Sequence, residues 1–230
     1  MADETDHPFG AIDLDLIRSW STMEPGTDGA FWALDLTKYR QVAEHATGRT
    51  GVSGREADDA YAPLGALAAV GAVVAYVGDV RHQPVGDPAW DRVAIVRYPS
   101  RSAFLALQER DDVKARHEDE KAGVDNTIIL SCTPESYDQT VDPGGMLTLL
   151  ISGGATDPFT GCVGLAQVAN FDCEGCIIGD GHHFDRARFV HVGDDEALEG
   201  VVEAASTSEG TQVLVLRPSI DNLVDSIVTA

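Results

Sequence analysis

The alternating run from Trp90 to Tyr98 constrains the fold more than any other part of this sequence. Val93, Ile95 and Arg97 recur at every second position, which is the period of a β-strand. The run passes directly into a segment with helical spacing, and Ser100 is a suitable N-cap for that helix. A strand and a helix are thus adjacent in the chain, and the elements around them decide the arrangement.

The same periodicities predict the order β-α-β-β-α-β for the first half of the chain. The predicted strands lie at 31–36, 72–80, 90–98 and 127–132, and the predicted helices lie at 37–47, at 58–69 and from 100 onward. An extra amphipathic helix is predicted within 10–24, before the first strand. This order is the split βαβ arrangement of ferredoxin-like domains.

A stretch with several prolines and glycines at 134–145 predicts a linker between two domains. Beyond it, the order repeats with little sequence identity: a strand at 146–151, a weak helix at 162–171, a hairpin of 176–179 and 187–192, a helix at 194–206 and a strand at 211–216. We therefore predict an α+β protein of two tandem ferredoxin-like (βαββαβ) halves. Residues 1–133 form the first half, and residues 146–230 form a diverged second half.

The composition disfavours several classes of protein. The net charge is −22, and such a field repels nucleic acid and anionic lipid, so neither is an expected partner. No run of about 18 apolar residues occurs, and the acidic start at 1–7 is unlike a secretory signal peptide, so we expect a cytoplasmic protein. The 4 cysteines do not suggest a disulfide framework. Nucleotide-binding and serine-hydrolase motifs are absent from the sequence.

Three segments carry a resemblance to a known family. They are Trp90 to Phe104, with its alternating strand and aromatic-Pro-Ser turn into a helix, Phe31 to Tyr39, and Gly71 to Asp79. Over residues 25–133 the chain resembles an uncharacterised bacterial family within the dimeric α+β barrel superfamily. The resemblance implies that two such units pair their sheets face to face, either as a monomer with an internal pseudo-dimer or as a homodimer.

The same resemblance implies a range of functions. In that superfamily the space between sheet and helices holds haem, a quinone-like aromatic substrate or nothing. Its members include cofactor-free oxygenases, haem peroxidases, chlorite-decomposing enzymes, lactone isomerases and stress proteins, so the fold does not choose the function. We expect a small-molecule substrate and no cofactor, with a metal or haem as the alternative.

Polar residues near the first long helix and the end of the hairpin are the candidate catalytic group. They are Arg55, Tyr61, Arg81 and His82. A histidine can act as a general base near neutral pH, and an arginine can hold a carboxylate or an enolate. Because Arg81 and His82 are adjacent on a strand, at most one of them would face a cavity. A solvated loop with capping acids is the alternative.

The sequence Cys173-Glu174-Gly175-Cys176, followed by His182 and His183, is the pattern with metal-ligand chemistry. Thiolates and imidazoles at this spacing could complete a tetrahedral site for zinc, or a copper or iron centre. A second CxxC pair, which would strengthen the signal, is absent. A redox dithiol and ordinary structural residues therefore stay open as alternatives.

Two further histidines and a set of aromatic residues are the remaining candidates. His117 lies in a charged segment and is expected to be solvated, whereas His191 could point inward as a ligand or base, or outward into water. The expected substrate pocket is the barrel interior, with core packing as the alternative role of its aromatic lining. That lining comprises Trp32, Tyr39, Tyr76 and Trp90.

We expect an enzyme that acts on a small aromatic or polyketide-like molecule by cofactor-free oxygenation, isomerisation or cyclisation. His82 would be the general acid or base, and Arg81 or Arg55 would stabilise developing negative charge. The first alternative is a metal- or haem-dependent oxidoreductase with His or Cys ligands. The second is a non-catalytic stress-associated or ligand-binding protein, which a barrel filled by side chains would favour.

Overall fold

The computed structural model describes residues 6–7, 10–24, 27–45, 51–61, 63–115, 122–139 and 144–230. Eight antiparallel strands close into a barrel, and helices pack on its outside, so the chain is an α+β protein as predicted. The strands are β1 (Asp6–His7), β2 (Gly10–Ile12), β3 (Phe31–Tyr39), β4 (Val73–Val85), β5 (Arg92–Tyr98), β6 (Val124–Tyr137), β7 (Met146–Ser152), β8 (Leu165–Gly179), β9 (Arg186–Val192) and β10 (Gln212–Asp221). The helices are α1 (Leu14–Ser21), α2 (Gly54–Tyr61), α3 (Leu64–Ala69), α4 (Arg101–Gln108), α5 (Asp111–Lys114), α6 (Asp195–Ala205) and α7 (Leu223–Val228). Among the described residues, no helix has the length and apolar character needed to cross a membrane.

The barrel consists of two arcs of four strands. β6, β3, β5 and β4 are adjacent in that order, and so are β10, β7, β9 and β8. Counted along the chain, each arc has its strands in the order fourth, first, third, second. β4 pairs with β10 and β6 pairs with β8, and these two pairings join the arcs into a closed ring.

Three predicted elements differ from the structure. Residues 37–39 continue β3, and the described residues 40–45 hold no helix, so the helix predicted at 37–47 is wrong. Residues 165–179 form one strand, so the weak helix predicted at 162–171 is wrong as well. The strand β6 extends to residue 137, and the linker predicted at 134–145 therefore starts inside a strand. At each place pairing with neighbouring strands satisfies the backbone N–H and C=O groups and overrides weak local signals.

Apolar side chains fill the interior of the barrel. Trp32 and Phe171 have ring centroids 6.2 Å apart, and Tyr76 and Phe189 have centroids 5.3 Å apart. The indole N–H of Trp32 donates to Ser226 Oγ at 2.9 Å, which satisfies the polar edge of this large ring. The interior is therefore a packed core, as in other small barrels.

The outer face of the barrel carries two further apolar layers. Beneath α1, α3 and α4, the rings of Phe31 and Tyr98 stack at 5.4 Å, and Phe104 packs against both. On the second arc, Val201 of α6 and Phe159 pack together on the strands. Helices thus cover both arcs from outside, and a different set of apolar side chains packs between helices and sheet on each arc.

The N-terminal segment is fastened to the outside of the first layer. β2 pairs with the end of β8, and Asp13 caps α1 by accepting hydrogen bonds from two backbone N–H groups of the first turn at 3.0 and 2.9 Å. The indole N–H of Trp20 donates to Glu174 Oε1 at 3.2 Å. Glu174 Oε2 in turn accepts two hydrogen bonds from the buried guanidinium of Arg101, at 3.0 and 2.9 Å. This network connects α1, α4 and β8.

Candidate functional site: a cavity on the outer face of the barrel

A cavity of about 420 Å³ lies between the outer face of the barrel and the segments that cover it. Residues of β3, β5, β6 and β8 line it from the sheet, and residues of β2, α1, α3 and α4 line it from outside. The lining is mostly aliphatic and aromatic, and includes Leu67, Val96, Leu107 and Ile177. A concave, largely apolar site of this kind suits a small organic molecule.

Asp35 is the single charged side chain among the described residues that line the cavity. It lies in the middle of β3, opposite Ala94 of β5 and Ile129 of β6. Its neighbours Leu34 and Leu36 fill the barrel interior, and because side chains alternate along a strand, Asp35 faces outward into the cavity. The strand therefore places one carboxyl group in an apolar site.

The surroundings of Asp35 change its acidity. Burial among apolar side chains raises the pKa of Asp35 from 3.8 to about 6, and the negative charge of Asp58 adds to the rise. The hydroxyl of Thr127 opposes it by donating to Asp35 Oδ1 at 2.7 Å, and the Thr37 hydroxyl donates to the same oxygen at 3.3 Å. A carboxyl group with a pKa close to neutrality is suited to general acid–base chemistry.

A charged network lies beside Asp35. The hydroxyl of Tyr39 donates to Asp58 Oδ2 at 2.6 Å, and the guanidinium of Arg92 contacts Asp58 at 3.4 Å and Asp59 at 2.7 Å. Arg92 also lies over the Tyr39 ring, 5.6 Å from its centroid, in a cation–π contact. Burial raises the pKa of Asp58, while Tyr39 and Arg92 oppose that rise. The positive charge of Arg92 likewise moderates the pKa of Asp35.

Tyr98 and Gln108 add uncharged polar groups to the lining. Burial, and after it the negative charge of Asp35, raises the pKa of the Tyr98 phenol, which therefore stays protonated at neutral pH. Gln108 ends α4, and its amide can both donate and accept hydrogen bonds. Together with Asp35, these groups can orient an oxygen-containing molecule and exchange a proton with it.

The structure places Arg55, Arg81 and His82 outside the set of residues that line this cavity. Arg55 on α2 forms an ion pair with Asp79 at 2.6 Å. Arg81 and His82 lie on β4 with exposed side chains. Tyr61 is the last residue of α2, and its side chain is outside the described part of the structure. The catalytic role of these four residues stays an untested prediction.

The aromatic residues predicted to line a pocket divide into two groups. Trp32, Tyr76 and Trp90 lie in the packed interior of the barrel, so core packing is the arrangement that the structure displays for them. Tyr39 lies on the same face of β3 as Asp35, outside the barrel, where it holds Asp58. The aromatic residues that adjoin the outer cavity are instead Tyr98 and Phe104.

The predicted metal ligands do not converge. Cys173 and Cys176 pack against the barrel core, whereas His182 and His183 each pair with an aspartate of their own loop, at 2.7 and 3.0 Å. In the part of the chain that the structure describes, no three Cys, His, Asp or Glu side chains are placed to hold a metal ion. This arrangement does not fit the predicted metal centre.

The outer cavity also lacks the usual axial ligands for haem. None of its described lining residues is a histidine, a cysteine or a methionine. His117 lies outside the described residues. His191 lines a different cavity of about 330 Å³, together with Asp221 and Asn222, and its Nδ1 is buried without a hydrogen-bond partner. The residues that are described therefore do not fit a haem group in the outer cavity.

Asp35 is the functional candidate that sequence reasoning missed. A signal for it was present, because Asp35 is the only acidic residue in the otherwise largely apolar strand Phe31–Tyr39. Its parity with Phe31 and Ala33 assigns it to the outer face. The periodicity of this strand alone does not predict that helices cover this face and leave a cavity next to the carboxyl group.

No protein-family model matches the chain, and no curated protein matches it either. Among solved structures, the chain is similar to the methylated form of RPA0582, with a TM-score of 0.50 and 22% identity, over 57% of this chain and 97% of that one. RPA0582 is described as a protein of unknown function from Rhodopseudomonas palustris. A protein from Lactobacillus acidophilus NCFM, provisionally named a monooxygenase, matches with a TM-score of 0.42 and 10% identity over 84% of this chain and 95% of its own. The protein TA0507, provisionally named a chlorite dismutase, matches with a TM-score of 0.39 and 10% identity over 86% of this chain and 98% of its own.

These likenesses concern the fold. The barrel and its outer helices define an α+β protein built on a closed, eight-stranded antiparallel barrel. RPA0582 is similar over little more than half of this chain, and at 22% identity it informs on architecture alone.

Proposed function

We propose that this chain is an enzyme of the α+β barrel type that binds a small, largely apolar molecule in the outer cavity and uses Asp35 to move a proton. One observation carries the proposal: the only charged side chain among the described lining residues has a pKa raised to about 6. At neutral pH most of this carboxyl group is ionised and can act as a base. Its conjugate acid is strong enough to return the proton within the same catalytic cycle.

The proposed substrate class follows from the lining of the cavity. Apolar walls favour an aromatic or polyketide-like molecule, and the carboxylate favours one with a weakly acidic O–H or C–H, such as a phenol or a 1,3-dicarbonyl compound. Gln108 and Tyr98 are the groups suited to donate hydrogen bonds to the oxygen that becomes negative when Asp35 removes the proton. Isomerisation, cyclisation and cofactor-free oxygenation can all begin with this step. An anionic substrate is disfavoured, because both Asp35 and the net charge of −22 repel it.

We further propose that the two halves are diverged ferredoxin-like units that pair within one chain as an internal pseudo-dimer. The repeated strand order in the two arcs and the paired edges support this. The second half differs in the connection between β7 and β8, where no helix lies among the described residues. Phe159 of this connection is buried with Leu150 and Val201 on the outer face of the second arc. The first half then provides most of the cavity lining, whereas the second half completes the barrel and adds Ile177 and Ile178 of β8 to that lining.

The proposed function is tested by comparing two variants with the wild type on a panel of phenols, naphthols and 1,3-dicarbonyl compounds. Product formation is followed by mass spectrometry, and oxygenation by oxygen uptake. For a compound that is turned over, Asp35→Asn is expected to lower kcat by about 10²–10⁴-fold, the usual contribution of a general acid or base. The kcat/KM of the wild type is expected to rise with pH through a midpoint near 6, because the ionised carboxylate of the free enzyme is the base.

His82→Ala is the matched control for Asp35→Asn. The His82 side chain is exposed and does not line the cavity, so kcat is expected to be retained. Loss of activity in His82→Ala with full activity in Asp35→Asn would assign the base to His82 and overturn the proposal.

A non-catalytic ligand-binding protein is the second candidate function. The packed interior of the barrel favours it over functions that need an interior chamber. Binding of panel compounds in the outer cavity without any product, under air and across pH 5–8, would decide for this candidate.

A further inference from the structure

Three of the cysteines meet where β6 and β8 pair. Cys132 of β6 lies directly opposite Cys173 of β8, and their Sγ atoms are 3.6 Å apart. Cys176 lies opposite Leu130, two pairs further along, and its thiol donates to the carbonyl oxygen of His182 at 3.4 Å. Cys132 is buried in the barrel core, whereas Cys173 is partly exposed.

A β-bulge brings these thiols to the same face of the sheet. Residues three apart on a regular strand point to opposite faces, which would separate Cys173 from Cys176. The pairing register shifts at Glu174, where one extra residue of β8 is inserted. Glu174 turns to the outside, where Ser131 and Arg101 donate to its Oε2, and the cysteines on either side of it both pack against the barrel core. The bulge therefore places Cys173 and Cys176 on the same face of β8, with Cys173 directly opposite Cys132.

We propose that Cys132 and Cys173 form an intramolecular disulfide when the protein meets a peroxide such as hydrogen peroxide. The Cys173 thiol, which is partly exposed, reacts first: it takes one oxygen atom from hydrogen peroxide, becomes a sulfenic acid, and releases one molecule of water. The Cys132 thiol then attacks the sulfenic sulfur, and the S–S bond forms as a second molecule of water leaves. Two thiols are oxidised by two electrons in total, and one peroxide is reduced to water.

The geometry suits this bond. Residues directly opposite each other on antiparallel strands have Cα atoms about 4.5–5.5 Å apart, which lies within the range that a disulfide spans. The sulfur atoms need to approach by about 1.5 Å to reach bonding distance. The hydrogen bond with Cys173, and after it burial, raises the pKa of Cys132, so the partly exposed Cys173 is the better first nucleophile of the two.

The experiment exposes the full-length protein to hydrogen peroxide, blocks remaining thiols with iodoacetamide under denaturing conditions, and maps the peptides by non-reducing mass spectrometry. We expect the free thiols to fall from four to two, a peptide linked through Cys132 and Cys173, and full reversal by dithiothreitol. Cys173→Ser is expected to abolish the link and to leave folding intact, as judged by circular dichroism. Cys162→Ser is the matched control, because Cys162 packs in a different apolar cluster, and it should leave the link unchanged.

Three outcomes would overturn the proposal, and each can be read from the wild type alone. They are four free thiols after peroxide, a link that joins Cys173 to Cys176 or to another chain, and sulfinic or sulfonic acid at Cys173 with Cys132 still free. The test does not depend on the outer cavity, since the thiols lie on the opposite face of the sheet.

Discussion

Replacing Asp35 by asparagine is expected to stabilise the folded protein at neutral pH. In the unfolded chain the carboxyl group is exposed and has its ordinary pKa of 3.8, whereas in the folded protein the pKa is raised to about 6. The folded state therefore binds more protons than the unfolded state between about pH 4 and 6, and the stability of the wild type falls as pH rises through this window. Asparagine has nearly the same shape, carries no charge, and can still accept the hydrogen bond from Thr127.

The size of the effect follows from these two pKa values. The gap between 3.8 and about 6 corresponds to roughly 3 kcal/mol at neutral pH, at about 1.4 kcal/mol for each tenfold change in the acidity constant. The residual exposure of Asp35 and the weaker hydrogen bond from Thr127 to a neutral acceptor reduce this value. We therefore expect the free energy of unfolding to rise by about 1–3 kcal/mol at pH 7.5 and to change little near pH 4. The corresponding rise in Tm is about 2–4 °C per kcal/mol for a chain of this length.

Urea denaturation at pH 4.5 and pH 7.5, followed by tryptophan fluorescence, measures the difference. Asp172→Asn is the matched control, because it is the same substitution at an exposed position of β8 and is expected to shift stability by less than about 0.5 kcal/mol. A loss of stability in Asp35→Asn at pH 7.5, or an equal gain at both pH values, would refute the reasoning that desolvation controls this carboxyl group.

Three further predictions concern the cavity, the partly exposed ion pair of Arg101 and Glu174, and the barrel core. Ala94 lies directly across from Asp35, and Ala94→Leu is expected to fill part of the cavity and to weaken the binding of 2-naphthol, measured by calorimetry, at least about tenfold. The control variant Ala94→Ser should bind 2-naphthol like the wild type. Equal affinity in both variants would contradict the assigned site. Arg101→Met is expected to lower the free energy of unfolding by about 2–4 kcal/mol, because it leaves the Glu174 carboxylate without its cation. Adding Glu174→Gln should recover part of this loss. A larger loss in the double variant would contradict this explanation. Trp32→Phe should lower the free energy of unfolding, measured by urea denaturation, by about 1–3 kcal/mol, because the hydrogen bond to Ser226 is lost and the packed volume is reduced. An unchanged free energy of unfolding would show that the barrel interior is less tightly packed than described.

Much of the fold could be predicted because strong local signals and long-range pairing agree in the first half. The alternating strand at 90–98 and the helix capped by Ser100 appear as β5 and α4, and Ser100 Oγ accepts from the N–H of Ala103 at 3.0 Å. The second half was harder to predict because β8 is long and interrupted by bulges, which break the period-2 pattern that identifies a strand. The weak helical periodicity at 162–171 was therefore not opposed by a clear strand pattern in the same residues.

The candidate site could be predicted only in part, since it depends on which surface the helices cover. The aromatic residues Trp32, Tyr76 and Trp90 were expected to face the barrel interior, and they do so, but the interior is filled. The cavity lies on the other face of the same strands, where Ile17, Leu67 and Leu107 from three separate helices leave a space above Asp35. No periodicity within one strand encodes a space that is bounded by helices distant in sequence.

A crystal structure of the protein with 2-naphthol bound tests the central claim most directly. The account predicts that the ring lies between the outer face of β3 and β5 and the helix α4, with its hydroxyl oxygen about 2.5–3.0 Å from the Asp35 carboxylate. A compound bound inside the barrel, or bound only at places remote from Asp35, would contradict the account.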